Sequence, residues 1–239
     1  MKITGVRPGA QDGVRGGPSS NTEWVVRRLR LAITDGELSP GEPLRANELA
    51  RRWGMSPTPI REAFQRLAAD GFLVYNTHRG VRVAPISPDE LEELIDLRLL
   101  VEPLALRRSL ERADEGWRAE VEAAGAVLRS AYRARPFDRT DYEAAHHDFH
   151  AALVARAGPT WWPRISTLLR DQTARYRAVD VRPRDLTAVM AEHERLVELC
   201  LADDTDAAVA QLHQHIEASR DQVRRSLAQR ARTSSGSAS

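Results

Sequence analysis

The sequence predicts a mainly α-helical protein: an N-terminal winged helix-turn-helix of three helices and a small β-hairpin, followed by an all-α antiparallel bundle of six helices. Two observations carry this prediction. Residues 44–85 combine two short amphipathic helices, a turn and two strand-like runs. From Asp89 onward, apolar residues recur at helical spacing and no strand pattern intervenes. A chain of 239 residues has room for one small and one larger domain.

Residues 1–20 are rich in Gly, Pro and Ser without periodicity, and we expect a flexible arm there. The DNA-binding domain is then predicted over residues 21–85. Its first helix begins at Asn21 or Thr22, either of which can cap it, and ends at Asp35 before Gly36.

Residues 44–53 predict the second helix, with Leu44 and Trp53 on its apolar side. Ser56 or Thr58 can cap a third helix, because proline is tolerated in a first helical turn. Residues 72–75 and 81–84 predict the two strands of a basic hairpin.

A basic helix of this size fits the major groove of DNA, and a hairpin tip can reach phosphates or the minor groove. The polar side chains and the wing glycine on this surface predict a double-stranded DNA contact. They are Arg45, Asn47, Ser56, Thr58, Arg61, Gln65, Arg66, His78, Arg79 and Gly80.

Gly36, Pro40-Gly41, the Thr-Pro-Ile-Arg-Glu run at 58–62 and Gly80 form one pattern. With it, this segment resembles the DNA-binding domain of the GntR family of bacterial transcription regulators. Many members carry arginine where this chain has Pro57. The resemblance therefore gives most weight to Arg61, which matches the family's other recognition-helix arginine.

Pro85 to Pro88 is the predicted hinge into the second domain, over residues 86–232, and residues 233–239 predict a disordered tail. The six predicted helices are separated by Pro, Gly and Asp signals, and they cover residues 89–113, 117–134, 138–157, 160–180, 184–202 and 204–230.

Several histidines of this domain fall on inward helix faces. His146 and His150, four residues apart, lie along one edge of an apolar stripe, and His193 lies within another. His147 should face water. In the last helix His213 and His215 flank the inward stripe on opposite sides, and periodicity does not choose between them. Several imidazoles converging in one bundle favour a divalent transition metal.

The Asp-Phe-His run at 148–150, the Glu-His pair at 192–193 and a histidine in the last helix are similar to the FCD effector domain of the FadR subfamily of GntR regulators. This resemblance selects His215 and implies the metal ligands His146, His150, His193 and His215. The family's first ligand is usually Asp or Asn, where this chain has His146. An all-histidine set favours zinc, with nickel or manganese as alternatives.

Arg98 falls in the inward stripe of the first bundle helix, where a charge needs compensation. Either it pairs with Glu102, four residues on, or it receives the carboxylate of an effector, as the corresponding arginine does in related proteins. Gln172 and Tyr176, inward on the fourth bundle helix, are candidate walls of the effector pocket.

These features predict a ligand-responsive transcription regulator, most simply a repressor of neighbouring catabolic genes. We expect a cytoplasmic homodimer on a palindromic operator, released by a small carboxylate bound at the metal, with no membrane partner. One cysteine, Cys200, suits a reducing compartment. The alternatives are a metal-dependent enzyme, for which no nucleophile or general base is recognisable, and an inert architectural DNA binder.

Overall fold

The computed structural model describes residues 20–76, 80–178 and 186–236. The predicted contacts His78 and Arg79 and most of the predicted N-terminal arm lie outside these ranges. The chain divides into two compact units between Ile86 and Ser87, close to the predicted boundary.

The first unit contains three helices and three short strands in its described part. They are α1 (Asn21–Thr34), β1 (Pro43–Leu44), α2 (Ala46–Trp53), α3 (Pro57–Ala69), β2 (Leu73–Asn76) and β3 (Gly80–Val83). Trp53, Leu29, Ile60 and Phe72 are almost fully buried in its core. Gly54, in the left-handed region with a φ of 66°, makes the turn between α2 and α3.

The small sheet has the order β1-β3-β2 with antiparallel pairing throughout. The pairing of β2 with β3 confirms the predicted hairpin. The structure adds β1, in which Leu44 pairs with Val81 of β3, and this corrects the prediction that Leu44 belongs to the second helix. The cap of α1 also differs from the prediction. Ser20 makes a reciprocal capping box with Glu23, which leaves Asn21 as the first residue of the helix.

The described part of the second unit is helical throughout, as predicted. Its helices are α4 (Pro88–Leu110), α5 (Glu115–Arg133), α6 (Arg139–Leu153), α7 (Trp161–Ala178), α8 (Leu186–Leu201) and α9 (Thr205–Gly236). The predicted cap Ser87 accepts a hydrogen bond from the Glu90 amide. Helix α9 continues to Gly236, so it includes the first residues of the predicted disordered tail at 233–239.

Helix α4 packs against α7 and α9, while α5 packs against α6 and α8. Gly125 on α5 allows α8 to approach closely, since a Cβ at this position would lie 2.7 Å from Val197 Cγ2. This contact positions the segment of α8 that carries His193. None of the helices in the described ranges is long and apolar enough to cross a membrane.

Candidate metal and effector site and DNA-binding surface

Three helices of the second unit bring four histidines together. Helix α6 supplies His146 and His150, α8 supplies His193 and α9 supplies His215. One ring nitrogen from each imidazole lies within 4.8 Å of the nitrogens of the other three. Three of the rings are buried and the ring of His146 is partly exposed. The four predicted ligands therefore form one cluster.

The spacing inside the cluster suits a metal ion. His150 Nε2 lies 3.2 Å from His193 Nε2. Two imidazoles on one tetrahedral zinc ion, each at about 2.05 Å, would have nitrogens roughly 3.3 Å apart. Four neutral nitrogen donors are also a set that zinc, nickel and copper accept. The residues present therefore fit a divalent transition metal.

His215 is oriented by a carboxylate that the sequence analysis did not assign. Its Nδ1 lies 2.7 Å from Glu192 Oε2, so Nε2 is the nitrogen left to face the cluster. A carboxylate behind a histidine fixes its tautomer and raises its basicity as a ligand. The signal in the sequence was the Glu192-His193 pair, in which His193 joins the cluster and the neighbouring Glu192 contacts His215.

Burial favours the uncharged form of two of the four imidazoles. Desolvation lowers the pKa of His146 well below its usual value, with a smaller contribution from His193. Desolvation also lowers the pKa of His150, and the charge of His146 adds to this effect. A neutral imidazole is the form that binds metal, so the lowered pKa values of His146 and His150 favour metal binding.

The other histidines of α6 and α9 stand outside the cluster. His147 Nδ1 lies 3.0 Å from Asp171 Oδ1, and its side chain is 41% exposed. His213 Nδ1 lies 3.4 Å from Glu217 Oε2, and its side chain is 47% exposed. The orientation of α9 thus places His215 inward, which periodicity alone could not decide.

Arg98 is buried and paired. Its Nε lies 2.6 Å from Glu102 Oε1 and its Nη2 lies 3.3 Å from Glu102 Oε2. Nη1 is also buried, yet it has no hydrogen-bond partner among the described residues. The pairing and effector-binding alternatives are therefore compatible, because the ion pair uses only two of the three guanidinium nitrogens.

A cavity of about 140 Å³ adjoins the cluster. It is lined by residues of α4, α6, α7, α8 and α9 together with Phe137. These are Arg98, Phe137, Arg139, Tyr142, Glu143, His146, Arg177, Leu186, Val189, His215, Ser219 and Gln222.

Gln172 and Tyr176 do not line this cavity, and their assignment to its wall is corrected. The Tyr176 hydroxyl donates to Glu90 Oε2 and accepts a hydrogen bond from the Ser87 amide, at the start of α4. Gln172 accepts a hydrogen bond from Arg175. Both side chains are buried, as predicted, but Tyr176 contacts the start of α4 and Gln172 is bonded to a residue of its own helix.

Arg170 is a supporting residue that the sequence analysis missed. Its guanidinium is buried and donates to the main-chain oxygen of His150 at 3.2 Å. This hydrogen bond links α7 to the C-terminal part of α6, at the main chain of one of the clustered histidines. Its sequence signal was weak, because arginine is common throughout the chain.

In the first unit, α3 presents the polar face expected of a recognition helix. Thr58, Arg61, Gln65 and Arg66 are all exposed. Glu62 on the same helix accepts a hydrogen bond from the Thr22 hydroxyl at 2.7 Å, which ties α3 to α1.

The other predicted contacts that fall within the described ranges are exposed as well. Asn47, Ser56 and Gly80 are open to solvent. The Arg45 side chain is 74% exposed and pairs with Glu48 at 3.0 Å. A solvated pair of this kind is weak and leaves the guanidinium accessible.

Each of the two units matches a known protein family. The FCD domain family matches residues 93–218, more than half of the chain. The family described as bacterial regulatory proteins, gntR family, matches residues 21–83. The chain belongs to the GntR family of bacterial regulators and carries an FCD domain. It is a DNA-binding transcription regulator and not an enzyme.

Individual relatives of this GntR-family protein cover most of its length. BphR of Paraburkholderia xenovorans, an uncharacterized HTH-type transcriptional regulator, is 31% identical over 84% of each chain. The HTH-type transcriptional repressor GlaR of Escherichia coli is 29% identical, over 80% of this chain and 90% of its own.

Solved structures support the fold. McbR/YncC of E. coli superposes with a TM-score of 0.76, covering 87% of this chain and 98% of its own. At 22% identity this likeness concerns the fold alone. The histidine cluster and Arg98 both fall within the segment matched by the FCD family.

Proposed function

We propose that this GntR-family protein is a ligand-responsive repressor of neighbouring catabolic genes, released from a palindromic operator by a small carboxylate. The observation that carries the proposal is that His146, His215 and Arg98 line one cavity. Repression is supported by relatives that are named repressors, among them GlaR.

The four histidines are proposed to hold one divalent ion, zinc in preference to nickel or manganese. The preference follows from the donor set, since four neutral imidazoles carry no ligand charge and favour the softer ions. When bound, the ion would act as a Lewis acid that could take a carboxylate oxygen as an additional ligand by expanding from four ligands to five. The protein's own part is to fix the rings, which it does through Glu192 for His215 and through Arg170 for the backbone at His150.

Arg98 is proposed to bind the effector carboxylate through Nη1. Glu102 holds the guanidinium by its other two nitrogens and so fixes its plane. A buried nitrogen without a partner costs free energy, and a carboxylate oxygen supplies the missing acceptor in a charge-assisted bond. The cavity is well below the roughly 300–1,000 Å³ of pockets for drug-sized molecules, which favours a small acid.

A homodimer is proposed to form through the helical domain. Leu97, Leu100 and Leu104 follow one side of α4 and are 47%, 71% and 46% exposed. Spacings of three and four residues place them on one face of the helix. An apolar stripe of this kind on a DNA-binding protein suits a second copy of the same chain, because two recognition helices can then occupy successive major grooves of a palindrome.

The proposal is tested by DNA binding with and without ligand. The full chain selects its operator from random duplexes, and the affinity is then measured with zinc present while small carboxylates are added. We expect at least one acid to weaken binding by about 5- to 150-fold, the usual range of allosteric coupling. The response should vanish in Arg98→Lys and His193→Ala and persist in the control His213→Ala. If no acid changes operator affinity, the helical domain is inert and the protein is an architectural DNA binder.

A further inference from the structure

The effector cavity contains a second group of charged side chains, distinct from Arg98 and the histidines. Arg139 and Glu143 on α6 and Arg177 on α7 all line it. Arg139, Glu143 and His146 are spaced by four and three residues, so they occupy one face of α6. Arg139 lies about 10 Å along the helix axis from His146, at a rise of about 1.5 Å per residue. The cavity thus extends from the histidines to a second charged end.

Among the described residues, one arginine at this end of the cavity has no carboxylate partner. Arg177 Nη2 lies 3.4 Å from Glu143 Oε2, which pairs those two side chains. Arg139 Nη2 donates to the main-chain oxygen of Arg177 at 3.2 Å, an acceptor that carries no net charge. The Arg139 residue is exposed, so it can receive a ligand without first being taken out of a buried pair.

The described lining residues as a set also carry more positive than negative charge. Arg98 is balanced by Glu102, and Arg177 by Glu143. Among the described lining residues Glu143 is the one carboxylate, against three arginines. The lining also includes Phe137, Leu186 and Val189, which offer apolar contact.

We propose that the effector is a small dicarboxylate that spans the cavity. One carboxylate lies at the histidine cluster and Arg98, and the other is received by Arg139 and Arg177. The short carbon chain packs on the apolar wall. This inference rests on the proposed function and deepens it, because it assigns the class of acid and the residues that select it.

The test compares acids matched in length by isothermal titration of the zinc-loaded full chain. The pairs are succinate against butyrate and glutarate against valerate. We expect the better dicarboxylate to bind about 10- to 100-fold more tightly than its monocarboxylate, the factor that corresponds to one hydrogen bond between charged groups. Arg139→Gln should remove most of this advantage and leave monocarboxylate affinity within about twofold. Arg177→Gln should do the same, with circular dichroism to check folding because Glu143 loses its partner.

Arg195→Gln serves as the matched control. Arg195 is an exposed arginine on α8, paired with Glu198 and not part of the cavity lining, so its loss should leave every affinity unchanged. Two results would overturn the second carboxylate-binding subsite alone. One is equal affinity for the two acids of a pair, and the other is an equal loss of affinity for both acids in Arg139→Gln. If neither class binds to the zinc-loaded wild type, the proposed carboxylate effector fails together with this inference.

Discussion

Arg98 and Glu102 form a buried ion pair one turn apart on α4, with 2.6 Å between Nε and Oε1. Their side chains are 3% and 1% exposed. Because water cannot solvate either charge, each side chain is stabilised in its charged form by the other. The pair fixes the guanidinium at the wall of the cavity and leaves its Nη1 without a partner among the described residues.

Removing one member of this pair should destabilise the helical domain strongly. We expect Glu102→Ala to lower the free energy of unfolding by about 3–5 kcal/mol, since it leaves an uncompensated buried charge. The double variant with Arg98→Leu should recover most of the loss. Urea unfolding measures both. Glu198→Ala, which removes an exposed partner of Arg195, is the control and should cost less than about 1 kcal/mol. If Glu102→Ala is as stable as this control, the buried Arg98–Glu102 pair does not stabilise the helical domain.

Glu192 should tune the metal site without being a ligand. Its carboxylate contacts His215 Nδ1, so Glu192→Ala should weaken zinc binding by about 10- to 100-fold while the four imidazoles remain. Competition with a chelator of known affinity gives the value. Glu194→Ala, two residues away and paired with Arg129 at the surface, should leave zinc affinity unchanged. Equal affinities in the two variants would remove the supporting role assigned to Glu192.

The leucine stripe on α4 should hold the dimer together. Leu100 is the most exposed of the three, so Leu100→Glu places a charge at the proposed interface and should yield monomers at micromolar concentration. Sedimentation velocity of the full chain distinguishes the two states. Val127→Glu on α5 changes another exposed apolar residue and should stay dimeric. If Leu100→Glu is still dimeric, the dimer interface lies on a surface other than this face of α4.

Arg61 should contribute to operator recognition through its exposed position on α3. Arg61→Ala should lose about 1–3 kcal/mol of discrimination against altered operators, the value of one good base-edge contact. Anisotropy titrations at fixed salt provide the comparison, with the exposed α1 residue Arg27 replaced by Ala as a control. If Arg61→Ala discriminates between operators as well as the wild type does, other residues of the helix recognise the operator.

Much of this fold could be predicted from local patterns. The apolar periodicity of α3 and α4 and the capping residue Ser87 were sufficient to place those helices. Strand β1 was missed because two residues are too short to show alternation. Its pairing with β3 joins Leu44 to Val81, far apart in the sequence, and no local signal reports such a contact.

The site was predicted in part, and its errors have a common cause. Helical periodicity indicates that a side chain points inward, but not which neighbour it meets there. Tyr176 is fully buried, as expected for an inward residue, yet it faces Glu90 on α4 and not the cavity. Likewise, the sequence could not choose between His213 and His215 without the family resemblance, because the choice depends on the rotation of α9.

We propose that His146, His150, His193 and His215 bind one divalent ion. The most direct test of this proposal is elemental analysis of the protein purified without a histidine tag, before and after incubation with zinc, nickel or manganese. We expect close to one ion per chain in the wild type, a higher melting temperature when the ion is bound, and loss of both in His150→Ala but not in His213→Ala. A metal content near zero that does not rise with any of the three ions would contradict the proposal.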